Sequence, residues 1–329
     1  MIPASTTSFF PGGLPSLRQA AQATFGIALG GICAWLTLSH AVPAEAVDAM
    51  TGADARWLGA AALLHAAALA LRVLRWRCLL GHLVRLHYGA FARVLIIGFG
   101  VNLLLPVRLG ELYRVESFKR RYGIARAWSM SSIMIERMLD IVTVVVGLSA
   151  GLSLASRPPD ELLLALASIG GALFSLLCAS LVVLVWLARQ RWVRRWRFAR
   201  RHLAMIGPAV GVMERHMFLV AGGATLAIHA LEMAALASVL AGLGVDVTPA
   251  LALVVLGAAS LSTFLPSAPG FVGTYQFAFL MALAQFGIDG ALGVAAATLV
   301  QLVLFGPVVI GALAMLAVGA RIYWRLRAA

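Results

Sequence analysis

Residues 98 to 140 read GFGVNLLLPVRLGELYRVESFKRRYGIARAWSMSSIMIERMLD, and their reading decides the fold. Inside an oily chain they carry Asn102, Pro106, Arg108, Gly110, Glu111 and Arg114, then Glu136, Arg137 and Asp140. The apolar run that leads in, residues 90 to 105, is too short to cross a bilayer comfortably, because a crossing helix needs roughly 20 residues. It stops at Pro106 and resumes as RLGELYRVESFKRRYG. Basic residues mark the cytoplasmic side of a membrane helix, and they stand at both ends here: Arg72, Arg75, Arg77, Arg85 and Arg93 before, Lys119, Arg120, Arg121 and Arg126 after. A re-entrant helical hairpin over 90–118, with its tip at Pro106, satisfies both ends.

Composition gives the same solvent. Of 329 residues 62% are hydrophobic and 12% charged, and the mean hydropathy is +0.94. Such a chain is a polytopic membrane protein, and backbone facing hydrocarbon must satisfy its own amides, so the expected fold class is all-α. The 26 Lys+Arg against 13 Asp+Glu leave +13. Most of that charge lies just beyond apolar spans, where topology and anionic lipid at the cytoplasmic face explain it and nucleic acid is excluded. Cys33, Cys78 and Cys178 show no metal spacing and read as packing residues. The apolar run to Leu38 is long enough to span, which argues against a cleaved signal peptide.

Working outward, residues 1–56 form an N-terminal helix over 19–39 and a periplasmic loop with Glu45, Asp48 and Asp54. Residues 57–155 hold a span over 57–80, the hairpin and a span over 128–155. Residues 156–216 hold a linking helix over 161–188 and seven arginines from Arg189 to Arg201, part of which reads as a basic interfacial helix. Residues 217–320 hold a span over 217–243, a second hairpin over 249–286 and a span over 290–320, before a cytoplasmic tail, 321–329. The two halves then run in opposite senses through the bilayer. The expectation is a single transmembrane domain, residues 1–329, of about six helices plus two opposed re-entrant hairpins in an inverted repeat, with both termini cytoplasmic in a bacterial inner membrane.

Within the first hairpin, free amides at the start of LGELYR can bind an anion, with Arg108 and Arg114 adding charge. Glu111 and Arg114 are three apart and can pair on one helical face, as can Glu136, Arg137 and Asp140. An arginine in a membrane helix costs several kcal/mol or more, so Arg137 needs counter-charges. The plainer alternatives are headgroup snorkelling by Arg108 and Arg114 and a structural clamp at Arg137. In the second hairpin Pro266, Ser267, Pro269, Gly270, Gly273, Thr274, Tyr275 and Gln276 free backbone groups that lipid tolerates only beside a polar cavity; a simple kink is the competing account. His229 and Glu232 can pair or shuttle a proton. His65 reads as packing, and Gln285 and Gln301 as helix-contact amides. No phosphate loop, metal spacing or nucleophile elbow is visible, so neither cofactor, metal nor enzymatic activity is expected.

RVLRWRCLL, NLLLPVRLGELYR, IERMLDIV and LPSAPGFVGTYQ, in that order, resemble the lysylphosphatidylglycerol synthase transmembrane-region family over about residues 57 to 320. The family is associated with flipping aminoacylated phospholipids and, in stand-alone members, with lipid-linked glycosylation or hopanoid synthesis. The resemblance adds Arg75 and Trp76 to the candidates and covers the Pro106, Glu136 and Pro266 motifs. Many relatives carry PGGxGxxE in the second hairpin, where this chain has Phe271 and Gln276, and the soluble aminoacyl-transfer domain is missing. Buried charge, opposed topology and the resemblance together lead to an expected lipid translocase for a polar-headed anionic or zwitterionic lipid. Candidate partners besides that lipid are a lipid or glycan synthesis enzyme and a second copy of the chain. The alternatives are a non-transporting partner of such an enzyme and a membrane-embedded lipid-modifying enzyme.

Overall fold

The computed structural model describes residues 17–39, 42–80, 86–105, 109–155, scattered positions between 161 and 176, 215–265 and 267–328. Among these every regular element is helical: α1 (Leu17–Ser39), α2 (Pro43–Thr51), α3 (Ala55–Leu80), α4 (Tyr88–Leu104), α5 (Leu109–Tyr122), α6 (Arg126–Leu154), α7 (Arg215–Gly242), α8 (Pro249–Ser262), α9 (Thr274–Ala284), α10 (Gly290–Val300) and α11 (Gly306–Ala328). A 3-10 turn, Pro269–Phe271, precedes α9, and a π-helical turn, Gln301–Phe305, joins α10 to α11.

Polar residues at the starts explain where helices begin. The Thr248 hydroxyl accepts from Leu251 N at 3.2 Å, with Pro249 entering the first turn. Asp289 accepts from Ala291 N at 2.8 Å, and His87 Nδ1 from Ala90 N at 3.2 Å. Among the described residues three segments are long and apolar enough to cross a membrane: Ala55–Leu80, Leu219–Gly242 and Gly290–Val318. The helices Tyr88–Leu104 and Pro249–Ser262 are apolar but shorter. The expected boundaries at 57–80, 128–155 and 217–243 fall within two residues of α3, α6 and α7.

Two features differ from the sequence reading. The loop after the first helix is partly helical: α2 starts at Pro43, which presets its first turn, and lies at 85° to α1. The last expected span is one continuous path with a π turn in its middle, at Gln301. The linking helix over 161–188 lies largely, and the arginines from Arg189 to Arg201 wholly, outside the described residues, as do Cys178, Pro106, Arg108 and Pro266. Cys78 sits on the exposed outer face of α3 rather than in packing.

α4 and α5 fold back on each other, as do α8 and α9. Small residues permit the close approaches. A Cβ on Gly110 would collide with the Gly98 carbonyl, and one on Gly257 would lie 2.6 Å from Leu148 Cβ. The larger contacts cross between halves: α3 lies along α7, α8 packs on α6, and α4 packs on α11. α1 covers the second hairpin, with Gly30 against the turn at Gly273, which holds φ of +87°. The main apolar core lies among α6 to α10, around Leu148, Val254 and Phe279, while Trp76, Phe91 and Phe118 stack in a second core under the first hairpin.

Candidate functional site

Eight charged side chains from α3, α5, α6 and α7 meet in the interior. On α6, Asp140 accepts from both terminal nitrogens of Arg75, at 2.6 and 3.3 Å, and both side chains are buried. Arg75 also donates to the Thr225 hydroxyl of α7 at 2.7 Å. One turn before Asp140, Glu136 takes a 2.8 Å hydrogen bond from Arg114, whose guanidinium also lies over the Trp76 ring at 4.1 Å. Trp76 in turn donates to Ser132 at 3.1 Å. Arg72 donates to Glu232 at 2.6 Å and stands 3.8 Å from Asp140.

Arg137 differs from these. Its ion pairs are long, 3.9 Å to Glu111 and 3.8 Å to Asp140, and its Nε has no hydrogen-bond partner. Its side chain is 25% exposed, against 1% for Arg114 and 2% for Arg75. Among the described residues four arginines thus face four carboxylates, Glu111, Glu136, Asp140 and Glu232, and their charges balance.

The two hairpin tips meet, the 3-10 turn at Pro269–Phe271 lying against the end of α4. At each hairpin a side-chain amide caps a backbone N–H beside the tip. Asn102 Oδ1 accepts from Gly110 N at 2.6 Å at the start of α5 while its Nδ2 donates to Glu111 at 3.2 Å. At the second tip Gln276 Oε1 accepts from Gly273 N at 2.9 Å, its Nε2 donates to Gln301 Oε1 at 2.6 Å, and Gln301 Nε2 donates to the Gly270 carbonyl at 2.9 Å. The π turn places Gln301 in that lattice. Phe271 holds a left-handed φ of 60°, which costs a bulky residue about 1–2 kcal/mol.

Behind the second tip lies a cavity of about 170 Å³. Its polar wall is Arg72, Arg137, Asp140, His65, His229 and Glu232; opposite stand Ser260, Thr263 and Tyr275. It opens between elements of both halves of the chain, on the loosely held Arg137.

The family model described as lysylphosphatidylglycerol synthase TM region matches residues 24–312, from within α1 to within α11. The chain belongs to that family. It is also similar to the Haloferax volcanii protein named glycosyltransferase AglD, with 25% identity over 326 residues. That alignment covers 87% of this chain and 52% of the relative, so the chain spans about half the length of the curated protein it matches.

The motifs that resemble the lysylphosphatidylglycerol synthase TM region family come together in the fold in three groups. Arg75, Trp76, Arg114, Glu136 and Asp140 join in one ion network; Gly270, Gly273 and Gln276 join Gln301 in the amide lattice. Asn102, Gly110 and Glu111 form the first tip, linked to the network through Arg137. Pro269 opens the 3-10 turn. The i,i+3 pairing expected between Glu111 and Arg114 is replaced by Arg114 to Glu136, because α5 and α6 cross at that level. His229 Nδ1 bonds the Thr225 carbonyl at 2.9 Å, and Glu232 bonds Arg72. By sequence Arg72 is a topology marker and His65 a packing residue, yet both line the cavity. The spacing of 65, 72 and 75 along one face of α3 is the signal that could have found them.

Proposed function

We propose that this multi-pass membrane protein is a lipid translocase, not an enzyme, moving a polar-headed anionic or zwitterionic lipid between leaflets. The observation that carries the reading is the cavity between the halves, with a wall of charge in a chain otherwise made for hydrocarbon. Support for an inverted repeat comes from the packing exchange: α4 on α11, α8 on α6, and α3 with α7. A two-fold in the membrane plane relates those pairs, with α3 and α7 as equivalent outer spans and the two hairpins re-entrant. In this layout α1, α3, α6, the span expected by sequence over 161–188, α7 and the α10 to α11 path are the six spans.

Arg137 is the group that meets the headgroup. Arg72 and Arg75 hold Asp140 in place, and Arg114 ties the first hairpin to α6. The halves rock about α3 and α7 while the acyl or isoprenoid tail stays in lipid. Fluorescent headgroup-labelled phospholipids in proteoliposomes test this directly: dithionite quenching of inner-leaflet label above the protein-free rate supports the reading, and protein-free rates across a panel of anionic and zwitterionic lipids count against it. The relative named glycosyltransferase AglD favours a second reading, in which the cargo is a lipid-linked glycan or the chain serves an enzyme that handles one. Including a polyprenyl phosphate sugar in the panel separates the two cargoes.

A further inference from the structure

The cavity holds two imidazoles that the ion network does not use. His65 of α3 and His229 of α7 stand beside the Arg72 to Glu232 pair where these helices pack together, and both line the cavity. His65 Nε2 is buried without a hydrogen-bond partner. His229 Nδ1 meets the Thr225 carbonyl at 2.9 Å, and a carbonyl only accepts, so Nδ1 carries the hydrogen and Nε2 the lone pair. Each ring therefore keeps a nitrogen for a proton.

The surroundings fix what a proton would do. Facing the rings are Arg72 on α3, Glu232 on α7, Arg137 and Asp140 on α6 and the Tyr275 hydroxyl on α9, while α8 and the α10 to π-turn wall bring no charge. Every carboxylate in the network has an arginine, and the four arginines balance the four acids. The two imidazoles, each with a ring nitrogen outside the network, are then the groups in the cavity left to take a proton. A proton on either ring leaves the buried site with one uncompensated positive charge, which is costly unless an anion enters with it. Arg137, whose Nε has no hydrogen-bond partner and whose ion pairs are long, is placed to receive that anion.

We infer that the cavity takes up a proton and a phosphate-diester lipid headgroup together, the proton on the His65 and His229 pair and the phosphate on Arg137. This rests on the translocase reading and names its coupling ion and headgroup charge. By linkage, the anion binds more tightly as pH falls, by up to about tenfold per pH unit for one proton, and each headgroup bound draws a proton from solution.

The test uses the purified full chain in detergent with dihexanoyl phosphatidylglycerol, whose charge is constant over the range. Calorimetry from pH 8 to pH 6 should show affinity rising at least threefold per unit, and an indicator dye in weak buffer should show about one proton taken up per lipid. Affinity flat or rising with pH, or proton release, overturns the inference. Dimethyl phosphate, which has the same diester and no tails, is the soluble control; binding as tight as the lipid's overturns the assignment to a lipid. A His65→Gln with His229→Gln variant should bind with the pH dependence lost; persistence of that dependence also overturns it. If that variant does not fold, the wild-type proton count decides alone. Lipid exchange in vesicles without proton uptake sinks this inference and leaves the translocase; proton uptake without exchange does the reverse.

Discussion

Asp140 organises the network at the scale of one residue, since Arg75 grips both its oxygens while Arg72 and Arg137 stand at 3.8 Å. Asp140→Asn leaves Arg75 buried with a weaker counter-charge. Breaking such a buried pair costs about 3–5 kcal/mol, and thermal unfolding in detergent should register it. Replacing both sides, Arg75→Met with Asp140→Leu, should recover a large part of that loss, because removing both charges also removes the desolvation cost. Gln276 makes a complementary case. Its amide both accepts from Gly273 and donates to Gln301, so Gln276→Glu forfeits the donor and should cost about 1–3 kcal/mol by the same measurement. The sequence showed these residues to be costly in lipid and therefore partnered. It did not show the partners: the i,i+3 rule finds neighbours on one helix, whereas Arg114 with Glu136 and Arg72 with Glu232 depend on how helices cross.

The hairpins and corners carry predictions at the scale of elements. α4 and α5 touch through Gly98 and Gly110, and a Cβ at Gly110 would meet the Gly98 carbonyl and the Asn102 side chain. Gly110→Ala should destabilise the fold by about 1–3 kcal/mol, as overpacking does, and should loosen the first tip. Hydrogen exchange over α4 and α5 would locate the loss. The corner between α5 and α6 lies among Lys119, Arg120 and Arg121, too polar for hydrocarbon, and is clamped by Glu116, which accepts from Arg126 at 2.8 Å and Arg120 at 2.6 Å. Those hydrogen bonds, Arg126's first, lower the Glu116 carboxyl from 4.5 to about 2. A lowered carboxylate stabilises the folded state fully above 4.5 and loses that contribution as pH falls to about 2. The arginines are 47% and 54% exposed, so solvent screens the clamp and its worth is about 0.5–1 kcal/mol. Glu116→Gln should therefore lower stability slightly at pH 7 and not at all near pH 2. Helix type, extent and most boundaries were readable, because apolar runs end at basic clusters and prolines. α2 and the π turn were not: a nine-residue helix in a polar loop has no apolar period, and Gln301, read as a helix-contact amide, gives no sign that the helix widens there.

At the scale of the molecule, charge asymmetry leads to the expectation of halves that run in opposite senses, and the proposed inverted repeat draws support from the packing of α4 on α11 and α8 on α6. The wall of the cavity was legible in part: Arg137, Asp140, His229, Glu232 and Tyr275 were candidates by sequence, whereas Arg72 and His65 were read as a topology marker and a packing residue. At the hairpins Asn102 and Gln276 accept from the amides of Gly110 and Gly273, and Arg137 lines the cavity with an Nε that has no hydrogen-bond partner. Arg137→Ala is the decisive variant. Asp140 keeps Arg75 and Glu111 keeps Asn102, so the fold should survive while the headgroup loses its contact. Leaflet exchange of labelled phospholipid in vesicles carrying equal amounts of wild-type or Arg137→Ala protein should be fast for the first and reduced at least tenfold for the second. Equal rates from the two proteins would contradict the account.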